Sequence, residues 1–111
     1  MPWILEFKTE PAPLEEVAER IARALGKQGV HVYAVRNPDW GLELVVGRPK
    51  QRKTLLGLGE LEPGIYRAFT KPPSILDFVF GKARLRADVL QALDAALAES
   101  DWARDLRWIE L

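Results

Sequence analysis

No cysteine occurs in the 111 residues, which excludes a disulfide framework and thiolate chemistry. Histidine occurs once, as His31. A base, proton switch or metal ligand of histidine type would have to be that residue. A metal site there would need further ligands, and neither Cys nor a second His supplies them. Aliphatic hydroxyls are limited to Ser74, Ser100, Thr9, Thr54 and Thr70, and no G-x-S-x-G elbow surrounds either serine. No stretch approaches the ~18 apolar residues of a membrane span. The first residues, MPWILEFKTE, lack the basic and apolar regions of a signal peptide, so a cytoplasmic protein with no membrane partner is expected. Asn37 and Met1 are the sole residues of their kinds. Scarcity of thermolabile residues beside abundant Ala, Leu, Arg and Glu leans towards a thermophilic source.

An apolar fraction of 48 % and a charged fraction of 29 % fit a single globular domain over residues 1–111 that can bury its own core. The formal net charge is zero, without the basic excess of dedicated nucleic-acid domains. It is unevenly spread. Residues 47–86 hold nine cations and three anions, a net of +6, and residues 87–111 hold two and six, a net of −4. Such asymmetry marks an interaction surface, or a basic middle that packs beside its own acidic end.

Residues 3–8 (WILEFK) alternate as a strand does. A helix is predicted over 13–27, with Leu14, Val17, Ala18, Ile21, Ala24 and Leu25 on one stripe and Gly26 or Gly29 at its end. Residues 30–36 and 42–46 read as a hairpin about Asn37-Pro38-Asp39-Trp40-Gly41. Alternation points Val30, Val32 and Ala34 one way and His31, Tyr33 and Val35 the other. Residues 47–82, with five of the eight glycines and four of the eight prolines, read as irregular. Within them, 65–70 is a strand, and 74–80 favours a short helix through the Ser74/Asp77 capping pattern. A second long helix over 84–101 buries Leu85, Val89, Leu90, Leu93, Ala96 and Leu97, and 106–111 forms a last strand. The expected fold is an α+β two-layer sandwich. Its closest named architecture is the ferredoxin-like βαββ…αβ order, with an irregular insertion at about 47–82.

The second helix carries its charges against its dipole. Lys82, Arg84 and Arg86 stand at its start, Glu99 and Asp101 at its end. Each such charge costs roughly 0.3–1 kcal/mol when exposed. With Gly81 and the free N–H groups of a helix start, the three cations would form an anion pocket. The alternative is neutralisation by acidic groups elsewhere in the fold. A second cluster, Arg48, Lys50, Arg52 and Lys53, could hold nucleic-acid phosphates while bases stack on Trp40, Tyr66 and Phe69.

No catalytic constellation emerges. Glu15/Glu16, Glu60/Glu62 and Asp101/Asp105 read as solvated charges. Gly57-Leu58-Gly59 lacks the third glycine and following helix of a phosphate loop. No cofactor is expected. The sequence therefore predicts a non-enzymatic interaction module, acting as a homodimer or on a protein partner. Its surface would be His31, Tyr33, Val35, Trp40 and Tyr66. Nucleic-acid or phosphate binding through 48–53 and 82–86 is the alternative.

Overall fold

The computed structural model describes residues 3–70 and 82–110. In them the elements run β1 (Ile4–Lys8), α1 (Leu14–Lys27), β2 (His31–Arg36), β3 (Leu42–Gly47), β4 (Thr54–Glu62), β5 (Ile65–Phe69), α2 (Lys82–Glu99) and β6 (Arg104–Ile109). The short helix expected over 74–80 lies outside the described residues. Six strands form one sheet in the order β2-β3-β4-β5-β1-β6, and every neighbouring pair is antiparallel. It follows that β5 and β6 run parallel with β1 between them. Likewise β1 and β2 run parallel, with three strands between.

Register explains the two faces. Leu5, Ala68, Leu58 and Leu42 form one row across four strands, each opposite the next, and all four are buried. Phe7, Leu44, Val46, Leu56 and Tyr66 extend the same face. Against it pack Val17, Ile21 and Leu25 of α1 and Val89, Leu90, Leu93 and Leu97 of α2, in one continuous core. Each fully buried aliphatic side chain contributes roughly 1.5–3 kcal/mol. Both helices lie on this face, giving two layers. Among the described residues, no helix is long and apolar enough to cross a membrane.

The first helix follows its sequence closely. Glu15 and Glu16 occupy its first turn and Lys27 its last, in accord with the dipole. Its end is closed by Gln28, Gly29 and Val30, whose N–H groups donate to the carbonyls of Leu25, Gly26 and Leu25 respectively. Gly29 takes a φ of 79°, which suits glycine at a helix terminus.

The middle of the chain is more regular than its composition suggests. Residues 54–62 form β4, the longest strand at 9 residues. Glycine depresses intrinsic strand preference, but here packing uses it. A Cβ on Gly57 would fall 2.4 Å from the Phe69 ring, so the bare backbone lets that ring lie flat across β4. The irregular insertion expected over 47–82 is thus replaced, through residue 70, by a turn and two paired strands.

Bulges mark both edge strands. Pairing of β2 with β3 shifts between Val32 and Ala34. Pairing of β1 with β6 shifts between Glu6 and Lys8, beside Asp105 at a φ of 53°. The first shift corrects the expected alternation of β2. Beyond it, Ala34 lies opposite Val45 and Val35 opposite Leu44. Val35 thus changes to the helix-covered side, because one extra residue reverses the parity of all that follow.

Candidate interaction surface

The face of the sheet away from the helices is open. Arg36, Glu43, Gly57, Phe69, Ile4 and Ile109 stand in one row across all six strands. Trp40, in the β2–β3 turn, folds back over this row. Its ring lies 5.2 Å from that of Phe69, yet it remains 51 % exposed. Leu55 at 43 % and Leu61 at 53 % flank the aromatic pair along β4. A shallow depression of about 320 Å³ opens between Ile4, Gly59, Glu60, Leu61, Arg67 and Phe69. A contiguous apolar band of this kind is the usual sign of a surface that meets a partner.

One row further along, Glu6 sits opposite both Arg67 and Arg107. Arg67 Nε donates to its Oε1 at 3.0 Å and Arg107 Nη2 to its Oε2 at 3.0 Å. Glu6 is thereby buried to 7 % exposure on an otherwise open face. Two charge-assisted bonds satisfy the carboxylate, while the guanidinium edges reach water. These three residues are separated by 61 and 101 positions from Glu6 outward. Only strand register could have brought them together in a sequence reading.

At the β2 end of the face, His31 and Tyr33 form an edge-to-face pair with centroids 6.4 Å apart. Lys53 Nζ stands 4.4 Å above the Tyr33 ring, a cation–π contact between an exposed lysine and an exposed tyrosine. His31, Tyr33 and Trp40 thus lie on a surface. Tyr66 does not. It is fully buried, stacked on Phe7 at 5.8 Å. Its hydroxyl donates to the Ala12 carbonyl at 2.7 Å and accepts from the Ala12 N–H at 3.2 Å. Tyr66 and Phe69 are three apart in one strand, so they must face opposite ways.

The expected basic cluster is divided in the same manner. Lys50 and Arg52 are exposed in the β3–β4 loop. Arg48 turns inward, where Nε and Nη2 donate to Asp88 of α2 at 2.8 and 3.1 Å and Nη1 donates to the Gln28 carbonyl at 2.7 Å. The Asp88 bonds raise its pKa above an already high ordinary value. Arg48 therefore ties three elements together and is not available to a ligand. It also brings the 48–53 loop against the second turn of α2. Lys82 lies at the start of that helix, Arg84 is exposed, and Arg86 is half-buried and already engaged.

The reversed polarity of α2 is real: no acidic residue stands in its first turn and no basic one in its last. Its C-terminal end finds relief within the fold. Ser100 Oγ donates to the Leu97 carbonyl at 2.7 Å, and Gln28 Nε2 donates to Glu99 at 3.3 Å. A groove of about 680 Å³ brings Arg20, Arg23 and Lys27 of α1 opposite Glu99 and Asp101. Cations of α1 thus line the same groove as the anions at and just beyond the end of α2. Among the described residues, no group of three or more His, Asp or Glu side chains is placed to hold a metal.

Comparison of this chain with known protein families, with curated proteins and with solved structures finds no match. The open sheet face carries the functional argument.

Proposed function

We propose that this chain is a small non-enzymatic interaction module that works as a homodimer, with the open sheet face as its contact surface. The observation that carries this reading is the band of Leu55, Phe69, Trp40, Leu61, Ile4 and Ile109, left without a covering layer among the described residues. An antiparallel sheet with one dry face normally exposes polar residues on the other; this one has Glu6, Arg36, Glu43, Arg67 and Arg107 there, yet also exposes Trp40 and Leu55. Two-fold dimers are the commonest way for such a surface to be covered. On this reading the architecture elaborates the ferredoxin-like order. The split β5-α2-β6 unit around β1 is retained, and the β3–β4 hairpin is the insertion. The module would belong to the cytoplasm of a thermophile, as its composition suggests.

Light scattering on a sizing column, over a hundredfold range of concentration, tests the dimer. A mass near twice 12.6 kDa at the upper end is expected. A strict monomer throughout overturns the reading.

A second reading is favoured by one specific contact, the exposed Tyr33 ring under Lys53 beside Lys50 and Arg52. An aromatic with adjacent cations can stack a base and hold its phosphate. Filter binding of single-stranded RNA and DNA is then expected to weaken steeply as salt rises. No binding even at low salt removes this alternative.

A further inference from the structure

The open face is electrostatically polar along its strands. The β3–β4 loop, at one end, bears Lys50, Arg52 and Lys53. The β2–β3 turn and the β4–β5 hairpin both point to the opposite end, because β2 to β5 form a continuous antiparallel meander. On the open face that end bears Asp39 in the turn and Glu62, which stands opposite Ile65, with Glu43 next to it; Glu60 stands opposite Tyr66 and so lies on the helix-covered side. Arg36 lies at the same end but is bound to Glu43 at 3.5 Å. Lys8, nearer β6, is paired with Asp105 at 3.8 Å. The Glu6 carboxylate is taken by Arg67 and Arg107. Lys50, Arg52, Asp39 and Glu62 are all exposed.

We propose that the open face docks on the open face of a second copy of this chain. The two-fold axis runs across the strands, so the basic loop of each copy meets the acidic end of the other. This rests on the homodimer reading and adds the interface, its orientation and its charge pairing. Rotation about such an axis reverses strand direction and keeps the β2 side over the β2 side. Lys50 and Arg52 then lie over the partner's acidic end, and the converse holds at the other end. One contact serves twice, which is what a two-fold interface requires.

Area and shape agree with this arrangement. Six strands at ~4.8 Å spacing and ~3.3 Å rise per residue give a face on the order of 500–900 Å². A stable interface needs roughly 800 Å² per partner. Sheets stack at about 10 Å when their side chains interleave. Gly57 and Gly59 at the centre keep β4 low there, so Phe69 and Trp40 form a raised aromatic core beside the internally paired Glu6, Arg67 and Arg107, and the loop charges form the rim, as at a protein interface. Edge-on docking through β6 is disfavoured by comparison, since that strand presents Arg104, Asp105 and Arg107.

The test uses two full-length variants, Lys50→Glu with Arg52→Glu, and Asp39→Lys with Glu62→Lys. The first has two acidic ends and the second two basic ends. Circular dichroism and thermal melting first confirm that each folds as the parent does. Each alone is expected to self-associate about tenfold or more weakly than the parent, because like charges then face one another across the rim. An equimolar mixture is expected to form a one-to-one heterodimer, read by sedimentation velocity with one variant labelled. A chain carrying all four changes is expected to recover self-association. Salt should weaken the parent and the mixed pair alike. If the parent dimerises and both variants dimerise equally well, this interface is wrong while the homodimer reading stands. Two monomeric variants that fail to pair when mixed also overturn the proposed geometry. A parent that stays monomeric overturns both readings. If it then retains single-stranded RNA on a filter, the face belongs to nucleic acid.

Discussion

Replacing Tyr66 by Ala will lower the stability of this protein by about 3–5 kcal/mol, the usual cost of emptying a large aromatic site in a core. The ring is fully buried and stacked on Phe7, which in turn meets Trp102 edge-on at 6.2 Å. Truncation therefore opens a cavity at the junction of β1, β5 and the segment after α2. A conservative change separates packing from hydrogen bonding. Tyr66→Phe keeps the ring and removes the hydroxyl that bridges the N–H and carbonyl of Ala12. Ala12 is half-buried, so water replaces part of what is lost. The Phe variant should cost about 1–2 kcal/mol. Urea unfolding followed by far-ultraviolet circular dichroism reads both values. An Ala variant within about 1 kcal/mol of the parent would show that the ring does not anchor the core. The connection between β1 and α1 should also loosen in the Phe variant. Faster hydrogen exchange at Ala12 and its neighbours would report that.

Gly41→Ala should be nearly as damaging, through the backbone and not the core. A Cβ at this position would stand 2.4 Å from the carbonyl oxygen of Leu58 and 3.3 Å from the Gly59 Cα. Neither atom belongs to a side chain that could swing aside. Relief would require β3 to part from β4, or the turn to be rebuilt, and φ at Gly41 is 156°, where side-chain-bearing residues are strained. A loss of about 2–4 kcal/mol follows, equivalent to a fall in Tm of roughly 10–20 °C for a domain of this size. Scanning calorimetry measures it directly. An unchanged Tm would mean that the turn can be redrawn at no cost. Since Trp40 precedes Gly41, its packing on Phe69 should be disturbed as well, which would weaken any dimer formed through this face.

Much of the architecture was readable in the residues. The stripe of Val17, Ile21 and Leu25, the Asn37–Gly41 turn and the stripe of Leu90, Leu93 and Leu97 each announce their element by periodicity. The predicted helix over 13–27 matches α1 to within one residue. β4 was harder, because Gly57 and Gly59 carry no side chain from which to read alternation. The role of Gly57 depends on Phe69, twelve residues further on and on another strand. The bulge in β2 was hidden for a different reason: nothing in the sequence VHVYAVR reveals that Tyr33 is the extra residue. The parity error at Val35 followed from it.

The candidate surface was partly legible. Tyr33 and Trp40 stand out as aromatics in a hairpin, and both reach the surface. The exposure of Lys50 and Arg52 could not be separated from the engaged status of Arg48, since Asp88 lies forty residues away from Arg48. The Glu6 triad could not be seen at all before the register was known. The split of charge between residues 47–86 and 87–111 was visible in the sequence. The structure shows that part of it is settled internally, by Arg48 with Asp88.

The bulges at the two edges bear on a hazard that a six-stranded open sheet would otherwise face in a crowded cell. An edge strand that pairs with a neighbour leaves a new edge, so such growth has no natural end and leads to filaments. Face-to-face docking consumes both faces and stops at two. The shift in β2 at Tyr33 and the turned backbone at Asp105 in β6 interrupt the ladders where copies could otherwise zip together. Both margins thus carry irregularities of the kind that hinder templated strand addition, and on the proposed homodimer reading association would be left to the one surface on which it terminates.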